Sequence, residues 1–202
     1  MQPHRLSDLS FFRSAMVGLL AGSVVAGMVM ADEPRCIVVE LFAVSSDAAV
    51  EPVAREIERF MAERGGLVVV RRFVDTSAED RAAVEALARR SSLDPAALPI
   101  LRACGAVLAA PVEPIDARRW LEESLRVEMF TRPGCQRCGT AKQWLPILQA
   151  RYPALRPEIF DVTVDAAARR RLAELVRRHR TAAASVPVFH LCDRLVVGFD
   201  RP

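Results

Sequence analysis

The chain is written twice. Val39-Glu40-Leu41-Phe42 returns as Val127-Glu128-Met129-Phe130, 88 residues later. Leu87-Ala88-Arg89-Arg90 returns as Leu175-Val176-Arg177-Arg178, and Leu98-Pro99-Ile100-Leu101 as Val186-Pro187-Val188-Phe189, in the same register. Cys104 and Cys192 keep that offset as well. A period this long does not suit a solenoid repeat; it suits a duplicated small domain. Each copy must therefore be a unit that can fold in fewer than a hundred residues.

The first copy reads as a short apolar strand at Val38–Ala43, a helix from about Ala48 to Glu63, and a β-branched strand at Leu67–Val74. A helix over Ala78–Arg90 follows, with Ser77 placed to cap it. Pro99–Leu101 and Ala106–Leu108 flank Cys104-Gly105 as a hairpin, and Ile115–Leu125 is an amphipathic helix. The order is βαβαββα, an α/β domain. The second copy repeats it with strands at Val127–Thr131, Glu158–Val162, Pro187–Leu191 and Leu195–Val197, and helices at Gln136–Arg151 and Asp165–Arg180. Pro146 should kink the first of these helices. After Leu195–Val197 the sequence reaches Gly198-Phe199-Asp200-Arg201-Pro202, so this copy is expected to lack its last helix. Three segments result: 1–31, a first domain over 32–126 and a second over 127–202.

The segment 1–31 has its own character. His4, Arg5 and Arg13 precede an uncharged run from Ser14 to Ala31, and Val29-Met30-Ala31 stands before Asp32-Glu33-Pro34. Basic residues, an apolar run and small residues before a cut site describe a signal peptide. A run of this length also just spans a bilayer, so an uncleaved anchor over 14–31 is the other reading. Both place the rest of the chain in the periplasm or another extracytoplasmic compartment, where cysteines pair or work as catalysts. The net charge is only +3, from 28 basic and 25 acidic residues, and basic runs have acidic neighbours. That argues against a nucleic-acid binder.

The chemistry concentrates in Phe130-Thr131-Arg132-Pro133-Gly134-Cys135-Gln136-Arg137-Cys138. A strand ends, a Pro-Gly turn follows, and a Cys-x-x-Cys opens a helix. Free N–H groups and the positive dipole of a helix start stabilise a thiolate. Arg132 and Arg137 add positive charge. The second sulfur, one helical turn later, can resolve a mixed disulfide. Cys135 is the expected exposed nucleophile and Cys138 the more buried resolving thiol.

With Lys142 four residues after Cys138 and Val186-Pro187 before a strand, the stretch from Val127 to Asp200 resembles the thioredoxin and glutaredoxin superfamily. The resemblance implies two tandem thioredoxin-fold domains. It implies a cis Pro187 facing the redox sulfurs, with the Val186 backbone pairing with substrate. Arg132, Pro133 and Arg137 join Val186 and Pro187 as expected substrate-binding residues. The first copy has Asp47 and Val50 where the cysteines should stand, so it resembles the inactive modules of protein disulfide isomerases while keeping Pro99. The layout is similar to tandem glutaredoxin-like protein disulfide oxidoreductases with only the C-terminal domain redox-active. No cofactor is needed. Glutaredoxins read glutathione partly through a Gly-Gly after the proline strand; this chain agrees only in part, which leaves glutathione a doubtful partner.

In that fold the third strand runs antiparallel to the first. Setting Phe42 opposite Pro99 brings Cys36 and Cys104 within one residue of facing each other, and a Cys36–Cys104 disulfide is expected. Cys192 then lacks a partner and reads as a buried, inert thiol. A zinc site built from Cys135, Cys138, His190 and Cys192 fails on distance, because Cys192 lies five residues beyond Pro187, ~17 Å at strand rise. A single cysteine pair supplies too few thiolates for an iron–sulfur cluster. No metal site is expected. His190, whose mate in the first copy is Arg102, reads as a half-buried or surface residue. Glu128 recurs as Glu40 in the copy without cysteines and so reads as structural. Arg169, Arg170 and Arg171 read as a solvated helix face.

The expected function is an exported thiol–disulfide oxidoreductase acting on protein substrates, with a membrane electron donor or acceptor as a further partner. The other reading is a soluble sensor or docking module of a membrane-bound redox assembly, of the electron-transfer or cytochrome-maturation type. Complex formation that survives Cys135→Ser separates the second from the first.

Overall fold

A computed structural model describes residues 35–182 and 185–199. The elements follow the repeat. The first unit runs β1 (Ile37–Ala43), α1 (Val50–Arg64), β2 (Leu67–Phe73), α2 (Ala78–Ser91), β3 (Ile100–Ala103), β4 (Ala106–Ala109) and α3 (Pro114–Ser124). The second runs β5 (Arg126–Thr131), α4 (Gln136–Arg151), β6 (Arg156–Asp161), α5 (Ala166–Arg178), β7 (Val188–Leu191) and β8 (Arg194–Val197). Shifted by the repeat, β3 and β4 fall on β7 and β8 residue for residue. Among the described residues no helix follows β8.

Each unit has one four-stranded sheet, ordered β2-β1-β3-β4 and β6-β5-β7-β8. The central strand pairs parallel with the one following it and antiparallel with the first strand of the hairpin. The central strands are the most buried because helices cover both faces. Side chains alternate, so Val39 and Leu41 face one way and Phe42 the other.

This alternation divides the core. One continuous cluster joins Val39, Leu41, Ile57, Phe60 and Leu121 of the first unit to Val127, Met129, Leu145, Leu148 and Phe189 of the second. Helices α1, α3 and α4 all contribute to it. The opposite face of each sheet has its own small cluster, Phe42, Val84, Leu87 and Ile100 beneath α2, and Phe130, Leu175 and Val188 beneath α5. The two units are thus fused through their inner faces. The Arg35 N–H also donates to the Arg151 carbonyl across them, at 2.7 Å.

Local sequence explains the helix starts. The Ser77 side chain accepts the Asp80 N–H, and Asp165 accepts those of Ala167 and Ala168. Pro114 opens α3, where a missing N–H costs nothing. Helix α4 continues through Pro146, which removes only the N–H that would have reached the Lys142 carbonyl.

The expected Cys36–Cys104 disulfide is corrected. Phe42 stands opposite Ile100, not Pro99, and the ladder ends at Val39 with Ala103. Cys104 has already left the strand, at φ 51°. It pairs instead with Cys192, its own repeat mate, with Cα atoms 4.3 Å apart. Cys36 is free and exposed, and Cys192 is no inert thiol. Equivalent residues of the two copies are thus bonded to each other across the units. The hairpin turns sit there. Gly105 fits this contact because a Cβ on it would lie 3.0 Å from the Cys192 carbonyl oxygen, at a φ of 81° that favours glycine.

No helix among the described residues is long and apolar enough to cross a membrane. The 14–31 run lies outside them.

Candidate active site

Strand β5 delivers Thr131 to the edge of the sheet, and Gly134, at φ 71°, turns the chain into α4. Cys135 is the N-cap of that helix. Its Sγ accepts the backbone N–H of Cys138 at 3.2 Å. In the reduced state this N–H and the helix dipole favour a thiolate at that sulfur. Cys135 and Cys138 are joined as a disulfide, with Cα atoms 5.2 Å apart.

Their surroundings differ. Cys135 is half-buried, whereas Cys138 is 1% exposed and packs into the shared core. A partner can reach only the first sulfur. Arg132, Pro133 and Arg137 are exposed around it. Lys142, one turn beyond Cys138, contributes to holding the Asp161 carboxyl below its usual range, after the larger effect of hydrogen bonds from Thr163.

The loop before β7 closes the other side. The Val186–Pro187 peptide is cis, and the Val186 carbonyl oxygen stands 3.7 Å from Cys135 Sγ. A strand-like substrate segment laid along Val186 would bring its own sulfur to Cys135. The sequence-derived residues Arg132, Pro133, Cys135, Arg137, Cys138, Val186 and Pro187 thus meet at one edge of the second sheet.

The first unit keeps the frame without the sulfurs. Its Leu98–Pro99 peptide is also cis, in the loop before β3. But α1 starts at Val50, while the repeat would start it at Ala48. Asp47 stays outside the helix and accepts the Ala49 N–H at 2.9 Å, and Val50 is buried.

Glu128 lies on the other face of β5 from α4. Its neighbours Val127 and Met129 point into the core shared with Cys138, so Glu128 points toward α5. It cannot take a proton from Cys138. Burial opposes its charge, but hydrogen bonds from His190 and Arg171 prevail and hold its carboxyl low, at about 2. Arg171 Nε is 3.0 Å and His190 Nδ1 2.9 Å from its oxygens. His190 is half-buried, as expected, with a side chain 12% exposed. One reading changes here: Arg171 leaves the solvated face of α5 to bind Glu128. Glu40 repeats the arrangement in the first unit, where Arg72, at 2.9 Å, and Arg102 neutralise it.

The sequence did not reveal that His179, at the C-terminal end of α5, and Asp193, in the β7–β8 turn, gather beside His190. No spacing motif links residues from three separate elements. For Cys104–Cys192 a signal was present, since both cysteines occupy one repeat position.

No protein-family model matches the chain. No curated protein matches it either. Among solved structures it is similar to the N-terminal domain of the alkylhydroperoxide reductase AhpF of Enterococcus faecalis, with 12% identity over 84% of this chain and 88% of that one, at a TM-score of 0.28. It is similar to a protein disulfide oxidoreductase of Aeropyrum pernix, with 15% identity over 84% of this chain and 82% of that one, at a TM-score of 0.29. A malarial protein shares 17% identity over 44% of this chain and 97% of its own, at a TM-score of 0.31. The strand orders, the helix on each sheet face and the paired cis-prolines carry the fold: the chain is a tandem of two thioredoxin-fold units, of which only the second has a Cys-x-x-Cys.

Proposed function

We propose that the protein is a thiol–disulfide oxidoreductase that exchanges disulfides with protein substrates through Cys135 and Cys138. One observation carries this reading. The reachable sulfur of a disulfide sits at a helix start, accepts a backbone N–H at 3.2 Å, and lies 3.7 Å from the Val186 carbonyl. In the reducing direction the Cys135 thiolate attacks a substrate disulfide and expels one substrate sulfur as a thiolate, which takes up a proton. The Cys138 thiol then loses its proton and attacks Cys135 Sγ. The second substrate thiol leaves, and the enzyme ends as the Cys135–Cys138 disulfide. Two electrons pass to the substrate. Run backwards, the same steps oxidise a dithiol.

The first unit would serve as scaffold or substrate platform, since it keeps the fold and the proline loop without a sulfur. Arg132, Pro133 and Arg137 would contact substrate around Cys135. An extracytoplasmic location fits the basic-then-apolar segment before residue 32, and the Cys104–Cys192 disulfide fits an oxidising compartment. A membrane donor or acceptor would then return the pair to its working state.

The test is a trap. With Cys138→Ser, a reduced chain offered a disulfide-bonded protein substrate should accumulate a mixed disulfide at Cys135. With Cys135→Ser it should accumulate none, the exposed Cys36 being replaced by serine in both variants. Mixed disulfides that form equally in both variants would overturn the assignment.

A further inference from the structure

The second unit holds a polar cluster that the redox chemistry does not use. His179 follows the last turn of α5, His190 lies in β7, and Asp193 lies in the β7–β8 turn. A ring nitrogen from each histidine and a carboxylate oxygen of Asp193 all lie within 4.8 Å of one another. The two rings have centroids 5.4 Å apart.

The hydrogen bonding around them is one-sided. His190 Nδ1 is 2.9 Å from Glu128, whose charge Arg171 already fixes. Nδ1 is therefore a donor, which in the neutral ring leaves the lone pair on Nε2. That Nε2 is buried and has no hydrogen-bond partner among the described residues, and the same holds for His179 Nε2. Leaving two ring nitrogens buried and unbonded is costly, and native structures avoid it. A carboxylate that fixes one ring nitrogen so that the other faces a cation is the usual support of a histidine ligand.

We propose that His179, His190 and Asp193 form a binding site for a divalent ion of the zinc class, with Glu128 positioning His190 and a fourth position open to water. Two imidazoles and one carboxylate are a donor set that zinc accepts. Tetrahedral ligand atoms stand ~3.4 Å apart, so the three groups, now within 4.8 Å of one another, need to close by up to about 1.4 Å. Arg178 holds one Asp193 oxygen at 2.6 Å, but its side chain is 59% exposed and can turn to solvent. The repeat adds an internal control. The corresponding residues of the first unit are Ser91, Arg102 and Gly105, which offer no such set. Asp193 adjoins Cys192, so an ion here would tie the end of α5 to the turn that bonds the two units. His190 is three residues beyond Pro187, ~10 Å along the strand, so the ion would not meet the redox sulfurs.

The experiment uses the full chain with Cys135→Ser and Cys138→Ser, with Cys104–Cys192 oxidised and Cys36 alkylated, so that no thiol can chelate. Zinc is titrated against a chromophoric chelator. One equivalent should bind, His179→Ala and Asp193→Asn should each weaken binding about tenfold or more, and His4→Ala should leave it unchanged. His190→Ala should also lose binding, with circular dichroism checking that the chain stays folded. Absence of saturable zinc binding, or binding indifferent to His179→Ala, would overturn the site and leave the oxidoreductase reading untouched.

Discussion

The two units are the same fold with different contents, and their comparison separates what the fold needs from what the chemistry needs. Both keep the sheet order, the cis-proline before the third strand, and a buried glutamate in the central strand. Only the second brings two sulfurs to a helix start. The helix itself differs: α4 opens at Gln136 directly after Cys135, whereas α1 opens at Val50, two residues later in the repeat frame. In the first unit the Val50 N–H, the repeat mate of the one that serves Cys135, donates to the Asp47 carbonyl, and the cysteines are absent.

The largest expected effect is a failed graft. Cys135→Ser should lower protein-disulfide exchange on the order of 10³-fold or more, because Cys138 is buried and the exposed Cys36 has no helix start to activate it. Adding Asp47→Cys and Val50→Cys to that variant should not restore the rate. A cysteine at 47 would sit in the loop before α1, where the Val50 N–H already donates to the carbonyl of that residue. Recovery to near the parent rate would break the distinction between the units.

Next comes the covalent link between them. Replacing Cys104 and Cys192 by serine opens a loop of 88 residues, worth at most about 4.6 kcal/mol of chain entropy. Urea denaturation should show a loss of that order, while exchange at Cys135 changes less than about threefold, since that bond lies away from the redox pair. Unchanged stability would remove the disulfide from the interface.

The strand glutamates sharpen the comparison. Glu128→Gln should cost about 2–3 kcal/mol, because Glu128 is 2% exposed and leaves Arg171 and His190 without their anion. Glu40→Gln should cost less, about 1–2 kcal/mol, because its two arginines are 30% and 38% exposed. The charge contribution of Glu128 has a defined pH window. Its folded pKa of about 2 lies below that of the unfolded chain, so the stability is fully present above about pH 5 and is lost as the pH falls toward 2. The gap between parent and Glu128→Gln, read by urea melts with chelator present, should close over that range.

Much of this was legible in the residues. The offset of 88 placed β3, β4, β7 and β8 because matching hairpins must use matching residues. The site was legible because it is local: strand, Pro-Gly turn, Cys-x-x-Cys and helix follow one another in nine residues, and the proline loop returns through the repeat. What escaped was long-range. The Cys36–Cys104 pairing rested on a ladder one residue out of register, and Cys104 lies past the end of that ladder, in the hairpin turn. Cys104–Cys192 depended on how the two copies meet, which no propensity within one copy encodes. His179, His190 and Asp193 converge from a helix end, a strand and a turn, with no spacing to announce them.

The most direct measurement is the ionisation of Cys135 in the reduced Cys138→Ser chain, followed by thiolate absorbance or by alkylation rate against pH. A sulfur held by a helix start should titrate well below the ordinary thiol value of ~8.5, between about 4 and 7.5. A titration at ~8.5 or above would contradict the view that the second unit activates this sulfur.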